Sequence, residues 1–241
     1  MEQYFKGKTV LVTGAGWGIG AATALLYAAY GAKVIFSDTS RKGGKVTLAK
    51  IKDQKGNATY IKADVSNAAA CEELIKRTIK TYGSIDIACN NSAILSKPTH
   101  PADGYMESSH DQMSLNLTGL NNCMQYEIAA MQRQGGGIIV NTSSIMGAIG
   151  LAPSNEYIEA KYGITTLPRD FPGEYPAIHI HTIAPAFIET ALLKHMIQKE
   201  TAGGMKLFPV DRRGTIQEVA GLILWLSSDG TRIFSNRASR S

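Results

Sequence analysis

Residues 8–38, "KTVLVTGAGWGIGAATALLYAAYGAKVIFSD", decide the fold. "KTVLVTG" is a short apolar run of strand length, and "GIGAATALLYAAYGA" is an Ala-rich helical stretch. "KVIFSD" is a second buried strand. Two strands joined through a helix call for a parallel pair, because a parallel connection needs a long crossover. The alternation continues. "KGGKVTLAKIKDQKG" predicts an amphipathic helix ended by Gly56, followed by the strand "ATYIKADV". "SNAAACEELIKRTIKTYG" opens on a Ser66 cap and closes on Gly83, and "SIDIACNNS" is strand-like. A longer helix is expected over about 110–134, then the strand in "GGGIIVNTSS", a helix from near Asn155, the strand "AIHIHTIAP" and a final helix in "TIQEVAGLILWLSS". The pattern predicts an α/β protein with a parallel sheet covered by helices on both faces, in three layers.

At 241 residues and 44% hydrophobic content, the chain can build one sizeable core, and residues 1–241 read as a single domain. No apolar run reaches membrane-span length. The N-terminus passes from a polar stub straight into a strand, with no sign of a secretory leader. Cys71, Cys89 and Cys123 are few, odd in number and far apart, as expected of reduced thiols in a cytoplasmic protein. The formal charge is +5, but the basic residues are scattered, with Arg41-Lys42 and Arg212-Arg213 the densest groups. Neither a recognition helix nor aromatic–basic interleaving is present, so nucleic acid is not an expected partner.

In "TGAGWGIG", residues 13–20, Gly14, Gly18 and Gly20 occupy the turn between strand and helix. Lack of a Cβ there permits tight bending and close approach of a pyrophosphate, which the helix N-terminus with Ile19 would meet with free amides. The second strand ends at Asp38, whose carboxylate can accept from both ribose hydroxyls and repels a 2′-phosphate, favouring NAD over NADP. Arg41 nearby could still receive a phosphate. Trp17 either stacks on a bound ring or packs against the chain. Asp64 could bond adenine with Val65 adding a backbone contact, while Asn90 and Asn91 would brace the backbone near the adenosine ribose. All four lie at carboxyl ends of strands, where open parallel sheets bind ligands.

With "NNSA" (90–93), Asn116 in "SLNLTG", Ser144 in "IVNTSS", Tyr157 and Lys161 in "NEYIEAKYG", and "APAFIET", the chain resembles the short-chain dehydrogenase/reductase family over about residues 5–235. Ser144 precedes Tyr157 by thirteen residues, a separation the family commonly shows. The resemblance implies a Rossmann-type, doubly wound parallel sheet and hydride transfer between a nicotinamide and a secondary alcohol or ketone, with Asn116, Ser144, Tyr157 and Lys161 catalytic and no metal. It also implies cofactor contacts from Asn91, Ser92, Ala93, Pro185, Ala186, Ile188 and Thr190, and a homo-oligomer, dimer or tetramer. A tyrosine with a pKa near 10 is a poor base at neutral pH, and an ammonium one turn away is expected to lower it. Ser144 would stabilise charge on the substrate oxygen, and Asn116 would hold a water that relays protons from Lys161. A helix-interior Asn bonded to backbone explains Asn116 too.

Several positions depart from the family pattern. Ala93 and Ala186 stand where the family has glycine, and Glu159 stands between Tyr157 and Lys161 on a different helix face. Pro168, Pro172 and Pro176 predict either that the helix stops near Leu167 or that the segment is rebuilt. The stretch "TRIFSNRASRS" is polar where the family has a last strand, so that strand is expected to be truncated. His179 and His181 share a strand face without a clear third metal ligand. The loop of about 188–213, with Leu192, Leu193, Met196, Met205, Leu207 and Phe208, either closes over a hydrophobic substrate or packs as an ordinary helix. A dinucleotide-sensing protein that lost catalysis is the alternative, against which the full set of four catalytic-type residues argues.

Overall fold

The structure, a computed structural model, describes residues 3–94, 112–149, 155–166, 174–190 and 212–234. Pro168, Pro172, the apolar residues of the 188–213 loop named above and the tail from residue 235 lie outside them.

Six parallel strands, β1 (Thr9–Val12), β2 (Lys33–Asp38), β3 (Asn57–Lys62), β4 (Ile87–Asn90), β5 (Gly137–Thr142) and β6 (Ile178–Ile183), form one sheet ordered β3-β2-β1-β4-β5-β6. All four residues of β1 are buried, as its position between β2 and β4 requires. The chain winds outward from β1 in both directions, so the β1/β4 boundary is the switch point at which such sheets open a crevice.

Alternate strand residues supply two cores. Val10, Val12, Phe36, Ile87 and Val140 face α1 (Gly18–Ala29) and the last helix, whereas Leu11, Ile35, Ala88 and Ile139 face the helices of the other layer. Each fully buried aliphatic side chain contributes about 1.5–3 kcal/mol. On the second face lie α3 (Ala68–Tyr82) and α4 (Gly119–Gln134), and α2 (Arg41–Asp53) packs on β3. The short α5 (Ile145–Ile149) and α6 (Asn155–Thr166) pack on one another. The last helix, α7 (Ile216–Leu226), lies along α1, where the Tyr27 hydroxyl and Ser227 Oγ share a buried 2.6 Å hydrogen bond.

Helix ends follow local chemistry, with two corrections to the expected caps. Asn67, not Ser66, caps α3 by accepting from Ala70 N, because Ser66 is bonded to Asp64. After α2 the left-handed residue is Lys55 (φ 58), not Gly56. Gly56 is there for space, since a Cβ would stand 2.7 Å from Ile51. Gly83 ends α3 at φ 91 as expected, and Thr215 and Glu218 form a capping box on α7. Helix α6 is described over Asn155–Thr166, and the Leu167 limit read from the prolines lies outside the described residues. The helix expected over about 110–134 is described from Gln112 and carries one π-helical stretch, Ser114–Thr118, ahead of α4.

Candidate active site

The glycine turn is shaped by contact. Gly14 (φ 63) and Gly18 (φ 56) take left-handed backbone, and a Cβ on Gly14 would stand 2.7 Å from Ser92 Cα. A Cβ on Gly20 would stand 2.3 Å from Gly14 O. No side chain caps α1 at Trp17. The Asp38 carboxylate accepts from Gly16 N and Ser40 N, each at 2.8 Å, which ties the end of β2 to the turn. Trp17 packs against the chain: it is half exposed, lines the cavity, and lies so close over α2 that a Cβ on Gly43 would meet its indole at 2.7 Å.

Thr13 fastens the end of β4 to the same turn, its Oγ1 accepting from Asn91 N (3.1 Å) and Ser92 N (3.3 Å). Asn91 Nδ2 donates to Gly14 O at 3.2 Å. Asn90 behaves otherwise than expected: it turns inward and donates to Glu127 and Asn141 instead of bracing the nucleotide side. Asp64 and Val65 do not line the cavity. Asp64 is exposed and accepts from Ser66 N and Oγ. The Val65 carbonyl takes the Asn122 amide and the Cys71 thiol.

Tyr157 and Lys161 lie one turn apart on α6, both buried, while Glu159 between them is exposed. Lys161 Nζ donates to Thr142 O at 3.0 Å and stands 5.7 Å from the Tyr157 ring centroid. Burial pushes the lysine down to about 8. The Tyr157 phenol is hydrogen-bonded to Ser144, and Ser144 Oγ also accepts from Met146 N. The expected lowering of the phenol by Lys161 is not what these residues produce. Burial raises Tyr157, and the Ser144 hydrogen bond offsets only part of that. Ser143 locks the helix by donating to Lys161 O, and a Cβ on Gly147 of α5 would meet the Lys161 backbone at 2.8 Å.

Asn116 sits in the π-helical stretch, fully buried, with its side chain spent on one residue. Its Oδ1 accepts from Ile94 N and its Nδ2 donates to Ile94 O, both at 2.8 Å. The side chain therefore clamps the segment after β4 and does not line the cavity.

A cavity of ≈ 320 Å³ joins these parts, lined by Gly14, Trp17, Gly18, Ile19, Asp38, Asn91 and Ala93 at one end and by Ser144, Tyr157 and Lys161 at the other. Pro185, Ala186, Ile188 and Thr190 complete its wall. That wall is pinned by Ile145 N donating to Pro185 O and by paired bonds of Gly214 with Phe187 and Glu189. Gly20 and Ser92 stand behind the lining. Sequence reasoning missed Thr142, Ser143, Met146 and Phe187, which also line it. Thr142 acts through a carbonyl, which carries no side-chain signature. Among the described residues no cluster of His, Cys, Asp or Glu could hold a metal ion, the three cysteines are buried and free, and no helix is long and apolar enough to cross a membrane.

Residues 14–236 match the family described as enoyl-(acyl carrier protein) reductase. The chain is similar to cyclohexanol dehydrogenase of Acinetobacter sp. (strain SE19), 34% identical over 231 residues, covering 95% of this chain and 91% of that protein. It is 33% identical to cis-4-hydroxycyclohexanecarboxylate dehydrogenase of Sinomonas cyclohexanicum over 233 residues, covering 95% and 92%. The crystal structure of levodione reductase superposes with a TM-score of 0.90 at 29% identity, covering 96% of this chain and 95% of that one.

Proposed function

The chain belongs to the short-chain dehydrogenase/reductase family, and from that premise we propose that it transfers a hydride between NAD(H) and a secondary alcohol or ketone carried on a ring. The ring is suggested by relatives named for cyclohexanol, a hydroxycyclohexanecarboxylate and levodione. One observation carries the reading: a buried lysine and a Ser144-bonded phenol lie at one end of a cavity whose other end is a glycine turn and a carboxylate.

The glycine cradle fits a dinucleotide, because a Cβ on Gly14 or Gly20 would collide with backbone that shapes it. Gly14, Gly18, Ile19 and the start of α1 would hold the pyrophosphate, Asp38 the adenosine ribose, and Lys161 the nicotinamide ribose. When bound, the nicotinamide supplies the hydride acceptor or donor. The protein's part is proton handling and orientation. Tyr157 removes the alcohol proton or returns it to the alkoxide. Ser144, already bonded to the phenol, donates to the substrate oxygen as charge gathers there. Lys161, held by Thr142 O, brings positive charge beside the phenol. Asn116 contributes by fixing Ile94, and the main-chain groups of its π-helical stretch are the candidates for the water relay expected of it. The reading includes a single catalytic domain over residues 1–241 and a cytoplasmic homo-oligomer, for which Leu222 and Trp225, exposed on α7, offer contact surface.

A panel of cyclic secondary alcohols and ketones, assayed separately with NAD and NADP, tests this. Turnover is expected with NAD and is lost in Tyr157→Phe. Full turnover in that variant would sink the mechanism, and strong preference for NADP would overturn the role of Asp38.

A further inference from the structure

Glu127 of α4 is completely buried and belongs to no ion pair among the described residues. Its Oε2 accepts from Asn90 Nδ2 at 2.9 Å, and the same amide donates to Asn141 Oδ1 at 3.1 Å. Asn141 Nδ2 in turn reaches Met124 Sδ at 3.2 Å. Asn90 and Asn141 are register partners on the last shared rung of β4 and β5. One residue beyond that rung, Asn91 holds Gly14 O, and Thr142 O receives Lys161 Nζ. The buried trio therefore lies directly under both ends of the candidate site.

The trio is short of donors. Glu127 Oε1 and Asn90 Oδ1 have no hydrogen-bond partner among the described residues, although each belongs to a planar group already in contact with the other. An ionised Glu127 would leave two buried acceptors beside a buried charge, the costliest arrangement. A proton on Oε1 supplies the missing donor and makes a two-point acid–amide pair. We propose that Glu127 is held as a neutral carboxylic acid and is a positioning residue, bracing Asn90 and Asn141 so that Thr142 presents its carbonyl to Lys161. The second half rests on the reading of Lys161 as part of the hydride-transfer site.

The surroundings agree. Among the described residues, the titratable groups facing Glu127 are the Cys89 thiol from β4 and the Cys123 thiol one turn earlier on α4. Burial pushes Cys89 up to about 12, and the hydrogen bond with Cys71, together with burial, raises Cys123. Among the described residues no cation faces the carboxyl, and its own desolvation pushes it up to about 7. With the folded carboxyl above its ordinary value of 4.5, the unfolded chain releases the proton first. The contribution is complete below that ordinary value and is lost as pH rises to about 7, the folding equilibrium constant falling about tenfold per pH unit across the window.

Glu127→Gln keeps the shape and one donor, whereas Glu127→Leu removes both. Thermal melts of the wild type and E127Q from pH 5 to pH 8 are compared first, with the infrared carbonyl band of a protonated carboxylic acid read in the wild type and absent in E127Q. The expected result is a wild-type melting temperature that declines relative to E127Q up to about pH 7. Parallel curves would overturn the neutral acid. In turnover, E127Q is expected to stay within about threefold of the wild type, and E127L to lose tenfold or more in kcat with NADH binding retained. Undiminished kcat in folded E127L would overturn the positioning role; if E127L does not fold, E127Q decides, since loss of its kcat overturns the role of the neutral acid. Should the wild type itself turn over no substrate, the reading of Lys161 falls with the positioning half, and the melts still decide the protonation state.

Discussion

Lys161 Nζ donates to the main-chain carbonyl of Thr142 at 3.0 Å, and no ion pair among the described residues involves it. A buried ammonium answered by a neutral carbonyl and the face of the Tyr157 ring is held at a cost, which a bound ligand with hydroxyls would recover in part.

That cost is measurable. The lysine moves from 10.5 to about 8 on burial, worth roughly 3 kcal/mol at about 1.4 kcal/mol per unit. Because the folded pKa lies below the unfolded one, the penalty is complete below pH 8 and fades as pH rises toward 10.5. Lys161→Met also loses the hydrogen bond to Thr142, worth about 1 kcal/mol. The cofactor-free variant is expected to be more stable than the wild type by ~2 kcal/mol at pH 7. Urea denaturation at pH 7 and pH 10 checks this: the advantage should vanish at the higher pH, and turnover should be lost at both.

Burial raises Tyr157, so the protein without ligand stores the proton donor form. Ketone reduction should accordingly hold its rate at neutral pH, while alcohol oxidation climbs through pH 8 and above. Tyr157→Phe removes the proton carrier and is expected to lower kcat by about 10²–10⁴-fold in both directions. NADH fluorescence titration of the same variant should show binding unchanged within a few-fold.

The sheet was legible in the sequence because buried parallel strands are short apolar runs with helices between them. β1 and β2 therefore stood out in residues 8–38. Side chains that act at a strand end or on one helix turn were legible as well, which is how Asp38, Ser144, Tyr157 and Lys161 were brought together as expected around one cavity. What stayed hidden depends on backbone and on competition between partners. Asp64 took Ser66 as its nearest donor, Asn90 pointed into the core, and Lys55 accepted the left-handed turn that Gly56 was expected to make. The carbonyl of Thr142 and the π-helical placement of Asn116 leave no periodic trace at all.

Two glycines of the same turn should fail for different reasons. Among the described residues a Cβ on Gly18 meets only Thr190, at 3.7 Å, but the backbone there is left-handed at φ 56. Gly18→Ala is expected to cost about 1–2 kcal/mol, the strain of that conformation, and to leave measurable NADH binding. Gly20→Ala drives a methyl to 2.3 Å from Gly14 O, so the turn itself must open. It should lose NADH binding altogether. Calorimetric titration of both proteins, with melting temperatures alongside, separates strain from collision.

Asp38 carries two duties, and one substitution should reveal both. Its two oxygens each accept a backbone N–H at 2.8 Å, from Gly16 and Ser40. Asp38→Asn keeps one acceptor and turns an NH₂ toward the other N–H, so the β2 end loosens by about 1–3 kcal/mol. The same change removes the negative charge that repels a 2′-phosphate, with Arg41 on the first turn of α2 left to attract it. The KM for NAD is expected to rise about tenfold and kcat/KM for NADP to improve, narrowing the preference from both sides. Steady-state kinetics with each cofactor, and melting temperatures without either, read the two duties apart. A variant that loosens the fold without changing the cofactor ratio would leave Asp38 as a turn residue alone.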